Sequence, residues 1–143
     1  FMRASKKAYY GLRAAAALGK HGGELSVHEL AHAEEMPEDY LHKILQSLRK
    51  AGLVVAAKGQ GGGYSLARDT ADISVWDIVI ALDGGFKNFS PPKLSRISPY
   101  PKLTHCQTNQ IWRSLEQSIE STLVQMTLAE LLTSSYQNDT PKK

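Results

Sequence analysis

The sequence predicts a mainly α-helical fold with one small β-hairpin and a long helix towards the C-terminus. Three observations carry this expectation. Apolar residues recur at three- and four-residue steps over several separate segments, the period of an amphipathic helix. One pair of short β-rich runs, Leu53 to Lys58 and Tyr64 to Ala67, flanks the glycine-rich loop Gly59-Gln60-Gly61-Gly62-Gly63. Finally, 143 residues with a hydrophobic fraction of 42% and a charged fraction of 22% suffice for one core of ordinary composition.

The elements follow in order. Ser5 to Lys20 carries Tyr9, Leu12, Ala16 and further alanines at helical spacing and stops at His21-Gly22-Gly23. Ser26-Val27-His28-Glu29 is a capping box, in which the serine hydroxyl accepts from a backbone N–H and the glutamate reaches back. It opens a short helix with Val27, Leu30 and Ala31 on one face. Pro37 fits the first position of the next helix, which runs to about Ala51 and stops at Gly52. Leu41, Ile44, Leu45 and Leu48 form its apolar stripe, while Asp39, His42, Lys43, Gln46 and Lys50 share the opposite face. After the hairpin, Ser74 and Asp77 cap a helix to Leu82 in which Trp76, Val79, Ile80 and Leu82 are expected to pack.

From Gly84 to His105 the chain turns irregular, with Pro91, Pro92, Pro99 and Pro101, a length that is uncommon for a structureless connection in a compact domain. The long helix spans about Thr108 to Met126, with Trp112, Leu115, Ile119, Leu123 and Met126 in a stripe, and Thr127 caps a last short helix. Two helices joined by a short turn, the second polar outside and followed at once by a hairpin wing, read as a winged helix-turn-helix. The chain thus divides into a winged helix-turn-helix unit over 2–83, an irregular loop over 84–105, a long dimerisation helix with a terminal helix over 106–135, and a tail over 136–143.

Charge agrees with that division. Residues 1–68 hold ten Lys/Arg against six Asp/Glu, and residues 69–143 hold seven against eight, so the basic excess sits on the half where a polyanion is expected. No apolar run approaches a membrane span, and Arg3 to Lys20 reads as a polar-and-alanine helix rather than a secretory signal. With a single cysteine, Cys106, an intrachain disulfide is excluded, and a reducing cytoplasm is the expected location.

The local motifs resemble a known group of bacterial regulators, the family that includes IscR, NsrR and CymR. The resemblance rests on Tyr40-Leu41, on Leu48-Arg49-Lys50-Ala51-Gly52-Leu53-Val54, on Lys58 to Tyr64, on Trp112 and on Thr127-Leu128-Ala129-Glu130-Leu131, and spans about residues 2–133. It implies a transcriptional regulator, expected to be a repressor, that binds a partly palindromic double-stranded DNA operator as a homodimer held through the long helix. Trp112, Leu115, Ile119 and Leu123 would form the dimer seam. Pro37, Asp39, Tyr40, His42, Lys43 and Gln46 would lie at the major groove, where Lys43 can donate to guanine and Asp39 can accept from cytosine. Lys58, Gly59, Gln60 and Gly61 on the wing, with Arg3, Lys6, Lys7 and Ser26, would meet phosphate or the minor groove. Glu34, Glu35, Glu38 and Asp39 place four acids close to this face, where they oppose phosphate and favour the helix dipole.

Many relatives hold an iron–sulfur cluster through three cysteines in the irregular loop. Only Cys106 matches that set; Tyr100 and Leu94 stand where the other two would be, and Asn109 where a histidine completes one such site. On the first helix, the positions that supply a ligand in some relatives look like Tyr9 and Arg13. A cluster needs thiolate or imidazole donors, so no cofactor is expected, and Cys106 is left as a candidate redox sensor. Two further readings remain: control by a protein partner or small metabolite at the 84–105 loop, and a zinc hydrolase built on His28-Glu29-Leu30-Ala31-His32, which matches the H-E-x-x-H pattern. Against the hydrolase, Glu29 already has a capping role, and Glu35 and Glu38 stand where the extended motif wants glycine and histidine. The expectation is therefore a regulator with no catalytic and no metal-binding residues.

Overall fold

The computed structural model describes residues 5–59, 62–84 and 108–133. The elements are α1 (Lys6–His21), α2 (Val27–Glu34), α3 (Glu38–Lys50), β1 (Val54–Ala56), β2 (Tyr64–Leu66), a 3-10 turn at Thr70–Asp72, α4 (Val75–Asp83), α5 (Thr108–Gln125) and α6 (Leu128–Thr133). Arg3, Gln60, Gly61, Cys106, nearly all of the 84–105 loop and the 136–143 tail, all singled out above, lie outside the described residues.

The caps form as their chemistry dictates. Ser26 Oγ accepts from the Glu29 N–H while the Glu29 carboxylate accepts from the Ser26 N–H, each at 3.0 Å. Ser74 and Asp77 repeat the same reciprocal pair at α4. Pro37 departs from expectation: with ψ 132° its backbone is extended, so it stands at the N-cap and Glu38 is the first helical residue. At the other end of α3, Gly52 takes a φ of 74°, a left-handed backbone that lets the chain turn straight into β1.

The core is built around α3, whose Leu41, Ile44, Leu45 and Leu48 are all fully buried. Leu18 from α1, Leu30 from α2, Ile73, Ile78 and Leu128 join them. Two expected core positions turn outwards instead. The buried side of α1 is Ala8, Gly11, Ala14, Ala15 and Leu18, which leaves Tyr9 56% exposed; on α4, Val75, Ile78, Val79 and Leu82 are buried and Ile80 faces out. In both helices several apolar faces compete, and the neighbouring elements decide which one is covered.

The antiparallel pair pairs Val54 with Leu66 and Ala56 with Tyr64, so both strands are shorter than the runs that predict them. The hairpin is also sewn to the segment before α2, because Leu25 and Tyr64 exchange backbone hydrogen bonds of 3.0 and 2.8 Å. Gly63 makes this possible: a Cβ there would stand 2.7 Å from the Leu25 carbonyl oxygen. At the far side, Val75 donates to Met126 and Leu128 to Ile73, which ties the end of α5 and the start of α6 to the start of α4.

Candidate nucleic-acid interface

The outer face of α3 exposes Glu38, Asp39, His42, Lys43, Gln46, Arg49 and Lys50. Acids occupy its first turn and bases its last, the arrangement that the helix dipole favours. Asp39 and Lys43 are one turn apart; His42 and Gln46, also one turn apart, approach to 3.2 Å between ring and amide nitrogens. Gln46, Arg49 and Lys50 line a shallow concavity at the C-terminal end. Because the opposite stripe is locked into the core, these side chains are presented on a rigid rod.

Tyr40 behaves differently from its neighbours. Its ring packs on the margin of the core and meets Tyr10 edge-on, with centroids 5.8 Å apart. Lys6 lies over both rings, 5.4 Å from that of Tyr40 and 5.9 Å from that of Tyr10. The N-terminus of α1 is thereby anchored beside the first turn of α3, and the Lys6 cation comes with it. Burial first, and then the negative charges that Tyr10 and Asp83 can carry, raise the Tyr40 pKa above its ordinary value. Ser5 extends this junction: its hydroxyl caps the Ala8 N–H and donates to the Asp83 carboxylate at the end of α4.

The structure also brings the wing and the start of α2 together. Ser26 caps α2 immediately after the Leu25–Tyr64 bridge, so Ser26 and the base of the hairpin share one edge, with Lys58 and Gly59 exposed nearby in the chain. Lys7 is half-buried one residue round from Lys6.

Of the four acids that crowd this face in sequence, two have partners. Arg13 reaches from α1 to the end of α2, donating from Nη2 to the Glu34 backbone oxygen at 2.8 Å and from Nη2 and Nε to the carboxylate at 3.0 and 3.2 Å. Partial burial works against the guanidinium, but Glu34 outweighs it and holds the Arg13 pKa above its ordinary value. Glu34 is thus a clamp between α1 and α2 rather than a free charge opposing phosphate. Glu38 lies against His28. Sequence spacing gave no sign of either pair, since each joins two separate helices; the basic-acidic complementarity of Arg13 and Glu34 was the only available hint.

Among the described residues no helix is long and apolar enough to cross a membrane. The zinc-hydrolase reading fails on local geometry, because the Glu29 carboxylate that would activate water is spent on the α2 cap.

The long helix α5 has a character of its own. Among its described side chains none is buried; Leu115, Ile119 and Leu123 are half-covered, while Ile111, Trp112 and Val124 are exposed by 64%, 44% and 48%.

Comparison with known proteins agrees with this architecture. Residues 4–134 match the Rrf2 family, described as an iron-dependent transcriptional regulator. The transcriptional regulator IscR of Vibrio atlanticus is 30% identical over 133 residues, covering 92% of this chain and 75% of that protein. Among solved structures, T. potens IscR superposes with a TM-score of 0.75 at 30% identity, covering 99% of this chain and 94% of the other. CymR, the global cysteine regulator of B. subtilis, gives 0.71 at 28% identity, covering 92% and 97%. A helix-turn-helix with a two-stranded wing, a polar outer face on its second helix and this likeness along nearly the whole chain have one reading: the protein belongs to the Rrf2 family of winged-helix, DNA-binding transcriptional regulators, and is not an enzyme.

Proposed function

We propose that the protein binds a two-fold-symmetric operator as a homodimer and represses by occupying it, in the cytoplasm. The observation that carries the DNA reading is the exposed polar face of α3 standing beside the hairpin while its apolar stripe is fully buried. Lys43 and Asp39 read bases, as donor to guanine and acceptor from cytosine, with His42 and Gln46 next to them. Tyr40 positions the helix and does not read, because its ring is held by Tyr10 and Lys6. Lys6, Lys58, Gly59 and Ser26 hold the phosphate backbone, with Lys7 behind them. The dimer is formed by α5, whose exposed Ile111 and Trp112 continue the half-covered stripe of Leu115, Ile119 and Leu123.

The iron in the family's description does not fit the donors of this chain. There is one cysteine. At the α1 positions where relatives can add a ligand, Tyr9 is an exposed phenol and Arg13 is a cation already bound to Glu34. Neither a phenol nor a guanidinium is the thiolate or imidazole donor that an iron–sulfur cluster needs, so this regulator works without one.

Selection from random DNA tests the proposal. It should return a two-fold motif whose half-sites lie about one helical turn apart or a multiple of it. Affinity for that motif should fall by about 0.9 log units per neutralised phosphate for each log unit of salt. A selected site without two-fold symmetry would refute the dimeric mode.

A further inference from the structure

One motif is left unused by DNA binding. His28 and His32 stand one turn apart on α2, and with Ala31, Glu35, Met36 and Glu38 they line a single open groove between α2 and the first turn of α3. Side chains at this spacing lie on one helix face, close enough to chelate one ion. His28 Nδ1 is already 2.5 Å from Glu38 Oε1, which brings a carboxylate from the next helix to the imidazole. Glu35 sits at the turn with φ 52°, and among the described residues it is the one non-glycine with positive φ. That left-handed backbone is the C-cap of α2, where the Glu35 N–H donates to the Ala31 and His32 carbonyl oxygens.

We propose that this groove is a site for a divalent first-row transition-metal ion such as Zn2+, held by His28, His32 and Glu38, with Glu35 or water completing the shell. Two imidazoles and a carboxylate suit Zn2+ and its neighbours in the series and discriminate against Mg2+ and Ca2+, which prefer all-oxygen shells. Among the described residues, these four included, no three His, Cys, Asp or Glu side chains are placed so that they could hold one ion. All four side chains are exposed, so side-chain rotation alone must bring them within the ~2.0–2.2 Å of zinc ligation. The site is not hydrolytic, because Glu29 is bound to the Ser26 N–H at 3.0 Å.

Its consequence is electrostatic, and here the proposal rests on α3 being the DNA-facing helix. Glu35, Glu38 and Asp39 crowd negative charge at the end of α3 that would enter the groove, and that charge opposes DNA phosphate. A bound dication cancels it and also links α2 to the first turn of α3, so metal and operator should each strengthen binding of the other.

The first test needs no DNA. Metal-stripped protein is titrated with Zn2+ by calorimetry, and with Co2+ by visible absorption, with excess Mg2+ present. One ion per chain should bind; a His28→Ala/His32→Ala double variant should lose it, and His21→Ala, at the far end of α1, should keep it. Circular dichroism confirms that the variants, all changed at exposed positions, remain folded. Wild type binding no better than the double variant overturns the site. The second test measures affinity for the selected operator with Zn2+ and after chelation. Saturating Zn2+ should tighten wild-type binding by about tenfold and leave the double variant unchanged. A bound ion with no change in operator affinity overturns the coupling, whereas a bound ion with no selectable operator overturns the reading of α3 and leaves the metal site standing.

Discussion

Helices α3 and α5 are both amphipathic, yet they stand in opposite situations. The stripe of α3 is entirely within the core, each of its four leucine and isoleucine side chains at 0% exposure. The stripe of α5 is at best half-covered, and Trp112 and Ile111 are open. An apolar stripe is a demand for a partner, and only the surroundings show whether that partner lies in the same chain. For α3 the demand is met by α1, α2 and α4, which makes it a fixed platform; for α5 the described residues meet it only in part, through α4.

The sharpest way to test this contrast is to cut into each stripe. Leu45→Ala on α3 removes a fully buried side chain and should cost about 2–5 kcal/mol of folding stability, measured by denaturant unfolding. If it cost only a few tenths, α3 would not be the platform described. Ile119→Asp should act on assembly: a charge placed at the proposed seam should convert dimers to monomers in sedimentation while the circular dichroism of the chain persists. A dimer of unchanged affinity would assign the α5 stripe to the interior of a single chain.

A smaller effect separates the polar face of α3 from the wing. Lys43→Ala should weaken operator binding by ~1–3 kcal/mol and relax preference at one base pair per half-site. Lys58→Ala should weaken cognate and scrambled DNA alike and lower the salt slope by about one. Titrations of single-base operator variants at two salt concentrations distinguish them. Uniform loss in Lys43→Ala would make that residue a phosphate contact and hand readout to Asp39 and His42.

The smallest effect lies at the junction of α1 with α3. The Tyr40 pKa is raised in the folded chain, chiefly by burial, so the phenol ionises first in the unfolded chain. The unfolded state then holds fewer protons, and this contribution to stability is intact below the ordinary tyrosine pKa of about 10 and lost as pH rises above it. Tyr40→Phe should therefore show a shallower alkaline loss of stability than wild type in urea unfolding. Parallel losses would show that the α1–α3 junction does not hold Tyr40 in its neutral form.

Much of this is legible in the amino-acid sequence. The capping boxes at Ser26 and Ser74 need only residues three apart, and the α3 stripe needs only the helical period, so sequence determined both. The glycine-rich run between two β-rich segments likewise determined a hairpin. Local rules failed where two answers were locally equal. Pro37 suits either the N-cap or the first helical position, and α1 and α4 have more apolar residues than one face can hold. Packing broke those ties, turning Tyr9 and Ile80 outwards.

The long-range contacts belong to tertiary structure alone. The Arg13–Glu34 clamp, the Lys6–Tyr10–Tyr40 stack, the Leu25–Tyr64 bridge over Gly63 and the meeting of His28 with Glu38 each join residues from different elements. Periodicity and capping act within a turn or two of the chain, so they fix which face of a helix is polar. Which charges on that face are free to meet DNA depends on what the neighbouring helices have already bound, and that is set only when the elements pack.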